Sequence, residues 1–183
     1  MDSIKKVART SRLCLIAVAL TCVASACGTM QRTAAPTLAY SDRIAVAAVA
    51  NYTETPDAGR SAESIAAGAL RAGGLDDVRV APAESEGGAM FDAARRVDAA
   101  HALDWARSQD VRYVLSGAVE EWRYKTGVDG EPVVGVTFEL LDVSSGTVVW
   151  SAVGSRTGWS RSGLSSVATK LIADVLSPLR PRR

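Results

Sequence analysis

Between Arg43 and Ala50 the chain reads R-I-A-V-A-A-V-A, an uninterrupted apolar run of strand length, as expected for a strand buried on both faces. N-Y-T-E-T-P-D-A-G-R follows. Thr55 suits a helix N-cap and Pro56 the first helical position, where its missing N–H has no intrahelical partner to lose. The helix is predicted to run to about Ala72 and to stop at Gly73-Gly74. D-V-R-V-A-P (Asp77 to Pro82) is a second strand closed by proline, and E-S-E-G-G (Glu84 to Gly88) an acidic loop. Ala89 to Gln109 is a second helix, rich in alanine and charge. V-R-Y-V-L-S-G-A-V (Val111 to Val119) is another strand, which E-E-W-R-Y-K continues, and Gly127 to Pro132 is a turn. Beyond it Val134, Val136, Phe138 and Leu140 alternate with Gly135, Thr137 and Glu139, so one face is buried and one wet. Ser144 to Gly146 makes a second tight turn, and Val148 to Ser155 returns as the last strand. Leu164, Val167, Ala168, Leu171, Ile172, Val175 and Leu176 then recur at helical spacing. The order is βαβαβββα, an α/β sandwich with a mixed sheet, an antiparallel meander and three helices.

The first residues follow a different pattern. Lys5, Lys6, Arg9 and Arg12 precede an almost wholly apolar stretch from Leu13 to Ala24. That is a basic n-region and an h-region too short for the ~20 residues a spanning helix needs. It ends in A-S-A-C, Ala24 to Cys27, which resembles a bacterial lipobox, in which the cysteine is acylated and becomes the first residue. Ordinary cleavage near Ala26 would leave Cys27 incidental, but the cysteine falls where lipidation requires it. Gly28 in place of an aspartate implies, for this class, sorting to the outer membrane. Cys14 and Cys22 lie in the leader, so the mature chain keeps only Cys27 and has no intrachain disulfide to form. The expected organisation is a signal peptide over 1–26, a lipidated N-terminus and flexible tether over 27–42, and one periplasmic α/β domain over 43–183. The tether, Gly28 to Asp42, lacks periodicity and would reach about 50 Å if fully extended.

Cleavage changes the sign of the charge. The 183-residue chain has 21 Lys and Arg against 20 Asp and Glu; without the leader 17 remain against 19, a net −2. That excludes the strong basic excess of a nucleic-acid binder. Acids dominate from Glu54 to Glu86, and basic residues gather late, from Arg156 to Arg183.

Enzymatic chemistry finds no footing in the pattern. G-W-S-R-S-G (Gly158 to Gly163) lies between strand and helix but is one residue too long for G-x-S-x-G. The lone His101 precedes Ser160, whereas that fold orders its triad serine, acid, histidine. His101 reads as a packed or surface imidazole in mid-helix. No Cys/His set has metal-ligand spacing and no Gly-rich phosphate loop is present, so no catalytic residue, metal or cofactor is assigned. Glu120 and Glu121 are expected on opposite strand faces, which argues against a glycosidase pair built from them.

Several stretches carry a resemblance. R-I-A-V-A-A-V-A-N-Y-T, a capped helix, and A-R-S-Q-D-V-R-Y-V-L-S-G-A-V together look like the βαβ lipoproteins that include LpoB, CsgG and the N-terminal domain of TolB. More specifically, Asn51 to Arg60, Glu120 to Val136 and Gly154 to Arg161 resemble the PelC family of outer-membrane lipoproteins from the Pel exopolysaccharide export apparatus. The likeness covers nearly the whole mature domain. It implies a homo-oligomeric periplasmic ring under the outer membrane, guiding a cationic polysaccharide towards an outer-membrane exit barrel, with no catalysis. The competing reading is an LpoB-like lipoprotein that docks on a cell-wall synthase and activates it as a monomer. Trp122 and Tyr124 share one strand face and Arg123 and Lys125 the other, which is ordinary hairpin packing more than a ligand site.

Trp159 poses the sharpest question. Its ring would fold under the final helix, or it would point at the inner leaflet of the outer membrane. Gly158, Ser160, Arg161, Ser162 and Gly163 offer no apolar neighbour to continue a core strip. Tryptophan is favoured at membrane–water interfaces, and Arg161 would meet lipid or headgroup-sugar phosphate there. Trp159 and Arg161 are therefore expected as membrane contacts, beside the acyl chains on Cys27.

Overall fold

The computed structural model describes residues 28–82, 99–127 and 130–182. The leader, Cys27, the acidic loop at 84–88 and the first half of the helix expected over 89–109 lie outside the described residues. In chain order the strands are β1 (Gly28–Arg32), β2 (Arg43–Val46), β3 (Ala50–Asn51), β4 (Asp77–Val80), β5 (Tyr113–Tyr124), β6 (Pro132–Asp142) and β7 (Thr147–Thr157). The helices among the described residues are α1 (Ala58–Ala72), α2 (Ala99–Ser108) and α3 (Leu164–Leu176), the last followed by a 3₁₀ turn at Ser177–Leu179.

Among the described residues, seven strands join one open mixed sheet in the order β1-β7-β6-β5-β2-β4, with β3 also paired to β5. β2 runs parallel to β4 and β5, while β5, β6 and β7 form the antiparallel meander. This is the α/β class read from the sequence. α1 and α3 cover one face, where Ala62, Ala66, Leu70, Leu171 and Val175 meet Leu115, Val136, Phe138, Leu140 and Trp150. α2 covers part of the other, where Leu103 and Ala106 meet Ala45, Val114 and Leu141. β2, between the two layers, is buried on both faces, as its continuous apolar run predicts.

Four local expectations are corrected. The strand expected over Arg43–Ala50 breaks into β2 and β3. Val46 and Val49 both enter the core under α1, and a continuous strand sends residues three apart to opposite faces. The break is also where α1 comes closest: a Cβ on Gly59 would stand 2.2 Å from the Val49 carbonyl oxygen. Thr55 is not the helix cap. The cap is Asp57, in left-handed conformation at φ 59°, and the Thr55 hydroxyl instead donates to the Trp122 carbonyl. Glu120 and Glu121 do not point to opposite faces. The β5–β6 register shifts between Val119 and Glu121, and a Cβ on Gly135 would lie 3.3 Å from that of Glu121 and 3.8 Å from that of Glu120. The bulge puts both carboxylates over the face that α1 and α3 do not cover, where Glu120 takes the Thr137 hydroxyl and Glu121 the Arg123 guanidinium.

The fourth correction is the tether. Gly28–Arg32 is an edge strand paired with β7, and Leu38 is 1% exposed. Five residues of no apolar periodicity hold as a strand because β7 supplies the ladder, with Thr29 bonded to Ser155 at 3.0 Å.

The β6–β7 turn rests on one carboxylate. Asp142 Oδ1 accepts the Ser144 amide at 2.9 Å, the Ser145 amide at 3.1 Å and the Ser144 hydroxyl. The Ser144 hydroxyl is the first cause, and the Ser145 amide the next, that hold this carboxyl below the usual aspartate range. A depressed folded pKa stabilises above the unfolded value and is lost as pH falls through the folded one. Asp142→Ala is thus expected to cost about 1 kcal/mol at pH 7, by loss of these bonds. Denaturant unfolding at neutral and acidic pH should show the gap to the native protein closing in acid.

Candidate functional site

The three stretches singled out in the sequence converge on one end of the sheet. β3, β5 and β7 run towards this end, and β6 begins there. The Asn51–Asp57 loop is tied by Asn51, whose side chain donates to the Thr55 carbonyl at 2.8 Å and accepts the Thr53 amide at 3.0 Å. Thr55 reaches Trp122 on β5. The β5–β6 hairpin closes with the Lys125 amide on the Glu131 carbonyl at 2.8 Å, and their side chains pair at 3.5 Å. From β7, the Gly158 amide donates to the Pro132 carbonyl at 2.8 Å.

Gly158 to Gly163 is held at both ends. Gly158 sits where a Cβ would come within 2.5 Å of Val167 Cγ2 and 3.0 Å of Pro132 Cγ, so only glycine lets the loop lie down on α3 and β6. At the other end, the Leu164 amide, one of the orphan donors of α3, bonds to the Tyr124 hydroxyl at 3.1 Å. Between these anchors a turn forms, with the Ser162 amide on the Trp159 carbonyl at 2.8 Å. The turn carries Trp159 outward at 79% exposure. The ring is not folded under α3, so the core placement is excluded. Arg161 is exposed and, among the described residues, without an ion pair or hydrogen bond.

Two other aromatics open onto the same end: Tyr52, after β3, is 42% exposed and Tyr124 is 50% exposed. Trp122, two residues before Tyr124 on the same strand face, is buried in the main core at 5%. Hairpin packing accounts for Trp122, whereas Tyr124 reaches past the core edge to cap α3. Sequence reading did not assign Tyr52 or the capping role of Tyr124. The available signal was a tyrosine where each apolar run gives way to charge, as in A-N-Y-T-E and W-R-Y-K.

Strand β1 begins at this end too. β1 is antiparallel to β7, with Gly28 opposite Arg156 and Arg32 opposite Ala152. Thr157 and Gly158 alone separate Arg156 from Trp159. The residue that follows Cys27 therefore stands on the strand next to the one that delivers Trp159.

The remaining candidates stay apart from this end. His101 lies in α2, on the opposite face of the sheet from α1 and α3, and its side chain lies outside the described set. Among the described residues no three His, Cys, Asp or Glu gather to hold a metal ion, and no helix is long and apolar enough to cross a membrane.

No family model and no curated protein matches the chain. Among solved structures, PelC from Paraburkholderia phytofirmans, crystallised as a dodecamer, is 68% identical over 85% of this chain and 99% of that one, with a TM-score of 0.74. The chain belongs to the PelC family. A point variant of that PelC dodecamer in another crystal form matches with the same values. Lipoprotein GNA1162 from Neisseria meningitidis is 19% identical over 75% of this chain and 97% of that one, with a TM-score of 0.52, a likeness of fold. In this PelC-family chain, the resemblance read from Asn51–Arg60, Glu120–Val136 and Gly154–Arg161 is thus confirmed, and the structure draws those stretches together at the end that displays Trp159.

Proposed function

We propose that this chain is a non-enzymatic outer-membrane lipoprotein of a Pel-type exopolysaccharide export apparatus. In this reading copies of it form a periplasmic ring, a collar that guides polymer towards an outer-membrane exit barrel. The 68% identity to a PelC that crystallises as a dodecamer supports the family-level function and the ring. Cys27 carries the lipid, and Trp159 and Arg161 contact the inner leaflet of the outer membrane. One observation carries this orientation: the most exposed large apolar side chain of the described fold stands at the sheet end where the chain arrives from Cys27. A tryptophan with its apolar ring in lipid and its N–H hydrated suits such a surface, and an unpaired guanidinium beside it suits lipid phosphate. A single such pair binds weakly, but a ring multiplies it alongside each acyl chain.

The anchor is tested by Cys27→Ala, which is expected to stay unprocessed or to leave the outer membrane on fractionation. Unchanged migration together with unchanged outer-membrane association removes Cys27 from the account. Assembly is tested on residues 28–183, because 28–42 pack into the fold and a domain cut at 43 would lose β1. Mass in solution at rising concentration, with crosslinking of the full protein on native membranes, is expected to show a closed oligomer. A monomer in both would favour the regulatory lipoprotein that activates a cell-wall synthase.

A further inference from the structure

The late basic residues of the sequence divide in space. Arg156 and Arg161 lie at the Trp159 end, whereas Arg180 and Arg182 follow α3, which runs away from that end for 13 residues, about 20 Å. Most arginines of the described fold hold a carboxylate, as Arg79 holds Asp77 at 2.8 Å and Arg156 holds Asp174 at 2.7 Å. Arg32, Arg71, Arg180 and Arg182 are exposed and, among the described residues, have no carboxylate partner. The fold brings these four together where α1 and α3 end. Arg71 stands in the last turn of α1 and donates to the Val78 carbonyl at 2.7 Å. Arg32 reaches the Ser177 hydroxyl at 3.2 Å. Arg180 lays its stem on α1, with Cγ 3.3 Å from where a Cβ on Gly73 would lie, and Pro181 carries Arg182 past Gly74. Between the two helix ends opens a cavity of about 80 Å³, walled by Ala69, Leu70, Ala173, Leu176 and Leu179 and by Arg180.

We propose that this end of the molecule is a docking surface for an acidic segment of a partner protein, with carboxylates on the four arginines and one aliphatic side chain in the cavity. The fold leaves the positive charge largely uncompensated. Asp174, Asp77 and Asp42 are already held by Arg156, Arg79 and Arg112, so Asp76, just past α1, is the counter-charge that the described residues offer. The helix ends do not cancel it either. The Ala69, Leu70 and Arg71 carbonyls take the amides of Gly73, Leu75 and Gly74, and the Asp174 carbonyl takes Arg32. What remains is about half a negative charge per helix against four guanidinium groups, which favour carboxylates as planar acceptors. The apolar walls decide between anions. A cavity of about 80 Å³ is well above the ~10–15 Å³ that one water needs, and suits an aliphatic side chain rather than a whole acyl chain. Nucleic acids and phosphorylated sugars bring no aliphatic group to fill it, and a cationic polymer is repelled. Docking here goes beyond the export reading and does not depend on the membrane contact of Trp159, which lies at the other end of α3.

The test measures, by fluorescence anisotropy, binding of the purified protein to a labelled heptapeptide of glutamate and aspartate around one central leucine. The native protein is expected to bind it, to bind the same peptide with serine for leucine about tenfold more weakly, and to ignore a lysine counterpart. Arg180→Glu with Arg182→Glu leaves the backbone bonds to Ser177 and Leu38 in place, so this variant is expected to melt with the native protein. It should bind the acidic peptide at least about tenfold more weakly. Arg180→Lys with Arg182→Lys, which keeps the charge, is expected to stay within about threefold of native. Ala173→Leu fills the cavity from within and is expected to bind the leucine and serine peptides alike, at the native affinity for the serine peptide. No binding of the acidic peptide, or native binding by the charge-reversed protein, would overturn the docking surface. If the native protein holds both acidic peptides, polyglutamate and heparin equally well, the arginines attract polyanions in general, and docking of an acidic protein segment is overturned. None of these outcomes bears on the export reading, which the surface does not use.

Discussion

Trp159→Ala is expected to reduce polysaccharide export severely while the thermal midpoint of the purified domain stays within about 2 °C of native. The indole is 79% exposed, so removing it forfeits little burial. What holds the loop remains in place: the Gly158 amide on Pro132, the Leu164 amide on Tyr124, and the turn bond into the Trp159 carbonyl, which is backbone. On the membrane reading proposed above, the loss falls on the surface that the ring presents to lipid. Secreted polymer measured against membrane-fractionated protein separates the effects, since the acyl chain proposed on Cys27 would by itself keep the variant in the membrane fraction. A domain that unfolds on this substitution would make Trp159 a structural residue, and one that exports normally would remove it from the site.

The opposite outcome is expected at the tryptophan within β7. Trp150→Ala should lower the stability of the domain by about 3–5 kcal/mol, and the midpoint by about 10 °C or more, for a chain of this size. Trp150 is 1% exposed and pairs across the sheet with Leu140, under the layer of α1 and α3. Alanine there opens a cavity whose walls, Phe138, Leu140 and the helices, belong to a packed core that relaxes only in part. Denaturant unfolding of residues 28–183 reads the loss directly. The two tryptophans share one strand and its outgoing loop, yet one change is read in export and the other in stability. A small loss at Trp150 would mean that the core is not packed around β7 as described.

Local pattern determined the elements of this protein and their order. β6 and α3 were legible because apolar residues at a period of two or 3.6 report a buried face whatever that face meets, and β2 because an unbroken apolar run reports burial on both faces. The stop of α1 at Gly73-Gly74 and the turn at Ser144–Gly146 were legible because glycine and short polar side chains act over one or two residues. The Gly158–Gly163 loop showed that Trp159 lacks apolar neighbours in sequence, which already disfavoured the core.

Tertiary structure alone decided the rest, and the reason is distance along the chain. Gly28–Arg32 carries no strand pattern and is a strand only because β7, far away in sequence, offers an unpaired edge. Thr55 has the side chain of a helix cap, but the carbonyl of Trp122 takes its hydroxyl and the cap passes to Asp57. The bulge at Glu120 reverses the face that alternation assigns, because the pairing partner, not the strand itself, sets the register. The placing of Gly28 on the strand next to the one that delivers Trp159, with Tyr124 capping the helix beyond that loop, depends on strand order and direction, which no local periodicity encodes.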